Sequence, residues 1–226
     1  MENSNNIWYV TILLSAVAGF CDTVTFVAAG SIFSAHVTGN FIVFAYQVIK
    51  GSDPQAWIKL LSFPVFVTAV ITGGQIGSEP GKRYRLLFIE GILLLLSGTF
   101  AMFIKFYFIT DWGMHLTAMM VVFAMGLQNA FGKLYAKETY GPTTMMTGNV
   151  TQASLDLGSL LFSGFKNTLS LESLKKQAIT IAGFLTGCLA GAFMSKSFGL
   201  YVLIAPGLTL VVCYLSTARQ AARRLQ

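Results

Sequence analysis

Six long apolar tracts dominate this sequence, over residues 7–29, 56–77, 84–109, 114–135, 177–198 and 200–217. About 20 apolar residues make one membrane crossing, because a helix rises 1.5 Å per residue and the hydrocarbon core is about 30 Å thick. Turn-forming residues separate the tracts, as in GSDP at 51–54, EPGKR at 79–83, TDWG at 110–113 and SFG at 197–199. The pattern predicts an all-α polytopic helical bundle of about six transmembrane helices, forming a single integral membrane domain over residues 1–226.

Composition excludes a soluble protein. Charged residues make up only 11% of the chain and hydrophobic residues 54%, whereas about a quarter of a typical soluble domain is charged. The net charge is +6, but the basic residues are scattered between the apolar tracts, so we expect no nucleic-acid partner. The lipid bilayer is therefore the expected main contact. Residues 1–6 contain no Lys or Arg, so we expect the first tract to be a retained span rather than a signal peptide.

Two further stretches, residues 38–50 and 147–165, are ambiguous. The first is apolar but short, and the second carries many polar side chains. Both are either short or re-entrant helices buried among six spans, or true spans that bring the number to eight. Six spans put eleven basic residues on the side of the N-terminus and four on the other, whereas eight spans divide them nine to six. The stronger positive-inside bias favours six spans with both termini cytoplasmic.

An internal repeat relates the two halves of the chain, residues 7–109 and 114–217. The tripeptide Thr-Gly-Asn opens each ambiguous stretch, at 38–40 and again 109 residues later at 147–149. The segment AGFCD at 18–22 resembles MGLQN at 125–129, and GxxxG at 73–77 recurs at 183–187. With three spans in each half the repeat is inverted, an architecture common in transporters. With four spans in each half it would be parallel.

These same segments resemble a known family. Asp22, FSAHVTGN at 33–40, GLQNA at 126–130 and TTMMTGN at 143–149 are similar to the YoaK-like bacterial membrane proteins, a family of unknown function. The resemblance extends over nearly the whole chain. It implies a six-span protein of the bacterial inner (plasma) membrane, and it names no substrate.

Polar residues inside the apolar tracts are the candidate solute-binding residues: Asp22, His36, Thr38, Asn40, Gln128, Asn129, Thr147 and Asn149. An acid inside a span usually marks a binding or proton site, so Asp22 suggests proton coupling. Its structural alternative is a protonated acid that ties helices together. Thr38 and Thr147 are good helix N-caps. If both helices begin inside the bilayer, their N-termini would meet near the midplane and bind an anion or a polar solute, with Asn40 and Asn149 adding amide groups.

The remaining candidates have simpler alternatives. His36 is a possible gate or proton relay, or a hydrogen-bonded loop residue. Gln128 and Asn129 line a polar path or tie helices together. Glu90, in the third tract, reaches the interface or pairs with Arg83. The small-residue face of Gly183, Gly187 and Gly191 packs within the subunit or in a homodimer.

Catalytic signatures such as GxSxG, HExxH, a P-loop and CxxC are absent from the sequence. We therefore expect no enzyme, no cofactor and no metal. The favoured function is a transporter or channel for a small polar or anionic solute, with its site between the two repeats. The alternative is a membrane accessory or stress-response protein that acts through helix–helix interactions. A wet pocket reaching Asp22, Asn40 and Asn149 would favour transport, whereas paired and dry groups would favour the alternative.

Overall fold

The structure, a computed structural model, describes residues 4–51, 53–78, 84–107 and 111–223. The described residues form helices joined by short connections, and no strand occurs among them. The turn expected at 79–83, with Arg83, lies outside the described residues, as do residues 1–3. The helices are α1 (Ser4–Ala28), α2 (Gly39–Lys50), α3 (Ile58–Gly77), α4 (Arg85–Tyr107), α5 (Asp111–Leu134), α6 (Met146–Phe162), α7 (Thr168–Phe198) and α8 (Ile204–Arg223), with a 3-10 turn at Gly199–Leu203 between the last two.

Five segments of the described chain are long and apolar enough to cross a membrane: Ile7–Ala28, Ile58–Gly77, Arg85–Lys105, Trp112–Leu134 and Thr168–Thr217. Large apolar side chains also point outwards, including Ile49, Phe162 and Phe193, each at least 76% exposed. Such a surface needs lipid around it. The prediction of an all-α helical membrane bundle is confirmed, and α2 and α6 are shorter than the five spanning segments.

The last spanning segment is 50 residues long and contains a reversal. At 1.5 Å per residue it would extend about 75 Å, more than twice the hydrocarbon thickness. Gly199 breaks it with φ +68° and ψ −151°, a backbone conformation that only glycine adopts readily. The break lies at the predicted SFG turn, but α7 begins at Thr168, nine residues before the expected tract.

Helix α1 packs tightly against α7 because glycines remove the side chains between them. A Cβ added at Gly187 would overlap the carbonyl oxygen of Ala16, and one at Gly191 would lie 2.7 Å from the carbonyl oxygen of Phe20. Gly183 meets Ile12 in the same way, so the two helices run parallel. The Gly183–Gly187–Gly191 face is therefore occupied by α1 of the same chain. It is not available for the homodimer contact that the sequence left open.

A second tight pair joins α3 to α5. A Cβ at Gly73 would lie 2.6 Å from the Cβ of Ala130, and one at Gly126 would lie 2.5 Å from the Cβ of Ala69. Residue numbers rise together along both helices, so this pair is also parallel. The GxxxG segments at 73–77 and 183–187 thus serve the same purpose, which is close approach of two helix backbones.

The other contacts are antiparallel. Helix α4 runs against α5, with Tyr84 beside Phe131 and Ile104 beside Gly113. It also runs against α8, where a Cβ at Gly91 would lie 3.0 Å from Leu210, whereas Gly98 meets Ile204.

Helix α1 also runs against α5. Gln128 donates to the carbonyl of Leu14 at 2.9 Å, and Gly30 lies beside His115. Taken together, these contacts alternate the direction of α1, α3, α4, α5, α7 and α8 along the chain. Eight crossings would instead make α1 and α5 parallel, contrary to the contacts.

Candidate functional site

Asp22 holds the connection between α1 and α2. It lies in α1, about 9 Å before the helix ends at Ala28, and is 4% exposed. Residues 29–38 fold back so that Asp22 Oδ1 accepts the backbone N–H groups of Ala35 at 2.7 Å and His36 at 3.3 Å. Asp22 Oδ2 lies 2.7 Å from Nδ1 of His36. The connection thus returns into the bundle before α2 begins. We call residues 29–40 with Asp22 the first turn.

His36 is the partner of Asp22 that could take part in proton exchange. The hydrogen bond and the negative charge of Asp22 raise the pKa of His36 from its ordinary value of 6.5, and burial opposes this rise. The His36 side chain is 34% exposed while that of Asp22 is 6% exposed. The pair therefore joins a buried acid to a base whose side chain is partly exposed at the surface of the helical bundle. No spacing rule predicts this contact, because it depends on how the connection folds.

Asn40 locks the first turn. Its Oδ1 accepts the N–H of Phe33 at 2.8 Å, and its Nδ2 donates to the Phe33 carbonyl and to Ser62 Oγ, both at 2.8 Å. The Asn40 side chain is fully buried. These bonds satisfy backbone groups that could not otherwise be buried. The sequence singled out Asn40 but gave no sign of Ser62.

The second turn, residues 135–149 with Gln128 and Asn129, repeats this arrangement. Asn149 Nδ2 donates to the carbonyl of Pro142 at 2.7 Å, seven residues back, as Asn40 does to Phe33. Asn129 occupies the place of Asp22, and its Oδ1 accepts from Thr144 Oγ1 at 2.8 Å. Beside it, Gln128 donates to Thr143 Oγ1 at 2.9 Å.

The two threonines of the repeated tripeptides do not cap helices, contrary to the sequence prediction. Thr38 stands at the N-cap of α2, but its side chain makes no capping hydrogen bond. In the second half Met145 is the N-cap and α6 begins at Met146, so Thr147 lies inside the first helical turn. Both threonine side chains are exposed. The asparagine is the structural residue of the motif.

The sequence predicted that the two turns would meet near the midplane, but they do not meet. They lie at different levels of the bundle, as the contacts between the antiparallel helices α1 and α5 show. The contacts Leu14–Gln128 and Gly30–His115 place Asp22 level with Val121 and Val122 of α5. Gln128 lies about 10 Å further along α5. What the structure brings together is Asp22, His36 and Asn40 at one end, and Gln128, Asn129 and Asn149 at the other.

Buried apolar side chains separate the two turns. Ala18, Cys21, Val122 and Met125 are all 0% exposed and lie between the level of Asp22 and that of Gln128. We call these four residues the apolar layer. The contact between α1 and α5 is one of several between the two halves, beside the more extensive pairs α1–α7, α3–α5 and α4–α8.

Some polar groups of the site keep free bonding capacity. Gln128 Oε1 and the hydroxyl of Ser15 are buried and make no hydrogen bond within the described part of the chain. Near the first turn, the fully buried Lys59 donates to Asp53 Oδ2 at 3.1 Å. The N–H of Gln55 lowers the pKa of Asp53, burial opposes this, and the bond from Lys59 lowers it further. Among the described residues no three His, Cys, Asp or Glu side chains cluster in a way that could hold a metal ion.

The family of proteins of unknown function DUF1275 matches residues 10–216, a range that includes both turns. The chain belongs to this family. It is 20% identical over 213 residues to the UPF0700 transmembrane protein YoaK of Bacillus subtilis (strain 168), a match that covers 92% of each chain. No solved structure matches. The expected resemblance is therefore confirmed, and this DUF1275 protein is a membrane protein whose apolar helices contact lipid.

Proposed function

We propose that this DUF1275 protein is a transporter or channel for a small polar or anionic solute, with its path along the interface between two halves. The observation that carries the proposal is the pair of matching turns. Each half folds a connection back into the bundle, and each connection is held by an asparagine and by a polar residue inside a long helix. Broken polypeptide at membrane depth is found where it lines a cavity or is buried in protein.

The halves are proposed to be an inverted repeat over residues 7–109 and 114–217. The helix pairs support this. Exchanging the halves replaces α1 by α5, α3 by α7 and α4 by α8. The parallel pair α1–α7 then becomes the parallel pair α5–α3, and the antiparallel pairs α1–α5 and α4–α8 remain the same pairs. Six helices of alternating direction also put both termini on one side of the membrane. By the distribution of basic residues that side is the cytoplasm, and the membrane is the bacterial inner (plasma) membrane.

In the sharper form of the proposal, transport is coupled to protons through Asp22. An ionised carboxylate that accepts two backbone N–H groups and a histidine has compensation for its burial. When the first turn opens, the carboxylate loses these partners and takes up a proton or a solute group in their place. His36, which is partly exposed, passes protons between Asp22 and water.

A specific observation favours the alternative class, a non-transporting accessory or stress-response protein. Asp22, Asn40 and Asn149 are all less than 5% exposed and all hydrogen-bonded. This is the paired state expected of a purely structural role. It is equally the state expected of a transporter whose first turn is closed, so the two functions differ in whether the turns open.

A ligand screen tests the proposal. Purified protein in detergent is melted in the presence of small polar and anionic solutes, and each stabilising compound is then tested for uptake into proteoliposomes. Asp22→Asn keeps the shape of the first turn but removes its charge, and Asn149→Ala weakens the second turn. We expect both variants to lose the stabilisation and the uptake. Stabilisation that survives both substitutions would place the binding site elsewhere.

A further inference from the structure

Glu90 is a buried acid that the two turns do not use. It lies in α4, is 0% exposed, and neither of its carboxylate oxygens has a hydrogen-bond partner among the residues that the structure describes. Its full burial is contrary to the reach to the interface that the sequence suggested. Arg83, the other partner that the sequence suggested, lies outside the described residues. Asp22, by contrast, has three partners within 3.3 Å. A carboxyl group kept in apolar surroundings without partners needs a functional explanation.

The position of Glu90 is informative. Helices α4 and α5 are in register through the pairs Tyr84–Phe131 and Ile104–Gly113. Interpolation along both helices places Glu90 level with Met125. Along α5, Met125 lies between Val122, which is level with Asp22, and Gln128. Glu90 therefore lies at the depth of the apolar layer, between the two turns.

On α1, the titratable side chain within the apolar layer is the thiol of Cys21. Cys21 adjoins Asp22 in the chain and is fully buried. The side of α4 that carries Gly91 faces Gly207, Leu210 and Val211 of α8, which do not titrate. The titratable residue of α8 near this level is Tyr214, whose ring packs on Phe88 of α4.

The other elements packed on α4 bring no charge to this level. Helix α5 carries Val122, Met125 and Gly126 there, and α3 carries Ala69 at the same depth because it pairs with Gly126. The titratable residue of the 3-10 turn, Tyr201, lies under Lys105, near the far end of α4.

These surroundings select the ligand. An ionised carboxylate without partners in an apolar interior is costly by several kcal/mol or more. A sodium, magnesium or calcium ion would need several oxygen ligands, whereas the side chains of the apolar layer at the depth of Glu90 are a thiol and hydrocarbon. A proton needs a single oxygen. The ligand chemistry that fits is therefore the proton.

We propose that Glu90 is a proton-binding site that relays protons across the apolar layer between the first and the second turn. This inference rests on the proposed transport function. A proton passes from hydrated groups at one turn to the Glu90 carboxylate, giving the neutral acid, and leaves to water at the other turn. No proton is consumed. In the conformation described here Glu90 holds its proton.

Infrared spectroscopy tests the site without any solute. Protein reconstituted in lipid at neutral pH is expected to show the carbonyl band of a protonated carboxylic acid. Glu90→Gln removes that band, and the matched control Glu172→Gln, at an exposed position of α7, leaves it. A spectrum in which Glu90→Gln changes no such band overturns the inference. If Glu90→Gln does not fold, Glu90→Asp is used instead, because it keeps a carboxylic acid at this position. It is expected to show the band at a shifted frequency, and loss of the band would also overturn the inference.

Proton flux tests the relay. Proteoliposomes with a pH-sensitive dye inside are given a pH gradient, with a potassium ionophore to compensate charge. Wild-type protein and Glu172→Gln are expected to dissipate the gradient, and Glu90→Gln is expected to be as slow as empty liposomes. Unchanged flux in Glu90→Gln overturns the relay. If wild-type protein moves neither protons nor any solute, the transport proposal itself fails, and the infrared band still decides separately whether Glu90 binds a proton.

Discussion

The two asparagines of the repeated motif offer an internal comparison of the same substitution at matching positions. Asn40 makes two hydrogen bonds to the backbone of Phe33 and one to Ser62. Asn149 makes one to the carbonyl of Pro142, because proline has no N–H to donate. Its other contact is a weak one, 3.6 Å from the sulfur of Met146. Asn40→Ala should therefore destabilise the protein more than Asn149→Ala.

The size of the difference follows from the groups left without partners. A buried donor or acceptor that loses its partner costs about 1–3 kcal/mol. Asn40→Ala leaves the N–H and the carbonyl of Phe33 unpaired, which amounts to about 2–6 kcal/mol. Asn149→Ala leaves one carbonyl, at about 1–3 kcal/mol. The gain in helix propensity from alanine is similar at both positions, since each lies in the first turn of its helix, and it cancels in the comparison.

The assay is reversible unfolding in mixed detergent micelles, followed by circular dichroism, with the free energy of unfolding extrapolated to zero denaturing detergent. Ser62→Ala serves as the control, since it removes only one of the three Asn40 bonds. The double variant Asn40→Ala/Ser62→Ala should lose less than the sum of the single changes. Equal losses for Asn40→Ala and Asn149→Ala, or a larger loss for the second, would refute the assignment of the hydrogen bonds.

Three further predictions concern packing, pH and topology. Gly187→Ala should destabilise by about 1–3 kcal/mol, because the new Cβ overlaps the backbone of α1, whereas Gly158→Ala, in open space, should be neutral or stabilising when both are melted. The raised pKa of His36 means that its pair with Asp22 stabilises fully below about pH 6.5 and that this contribution is lost as pH rises through the higher folded value. Melting curves of wild type and His36→Ala should accordingly converge at alkaline pH and separate at acidic pH, and a gap that widens with pH would contradict the assignment. Single cysteines at Lys50 and Lys137 in a cysteine-free variant should be labelled from the outside and the inside respectively, and the reverse result would support eight spans.

Most of the helical framework could be predicted because hydrophobic length is a local property. The short stretch expected at 38–50 is α2 at Gly39–Lys50, and the stretch expected at 147–165 is α6 at Met146–Phe162. Short length marked the first as different from a lipid-facing span, and polar content marked the second. The start of α7 was missed because its first two turns, from Thr168, are polar and extend the helix beyond the apolar tract.

The candidate site was predicted as a set of residues but not as a geometry. Asp22, Asn40 and Asn149 stand out because polar groups in apolar tracts need partners. Which partners they find depends on tertiary folding. The connection that brings His36 to Asp22 spans fourteen residues, and no periodicity encodes it. The two motifs do not meet because the contacts between the antiparallel helices α1 and α5 hold the two turns at different levels of the bundle.

The small-residue faces show the same limit. A row such as Gly183, Gly187 and Gly191 indicates that two helix backbones approach each other. It does not say which helix is the partner. The structure assigns α1, and the equivalent pair α3–α5 uses Gly73 and Gly126 in the same way.

The two turns share a backbone design but differ in chemistry, and this difference bears on direction. The first half places an acid and a histidine at its turn, whereas the second half has Asn129 in the place of Asp22 and Met145 in the place of His36. A carboxyl group and an imidazole are therefore present at one turn, and an amide and a thioether stand in their places at the other. If protons drive the proposed transport, the two ends cannot exchange them in the same way. Protonation at the Asp22 end would control opening there, and the amide end would open without a change of charge.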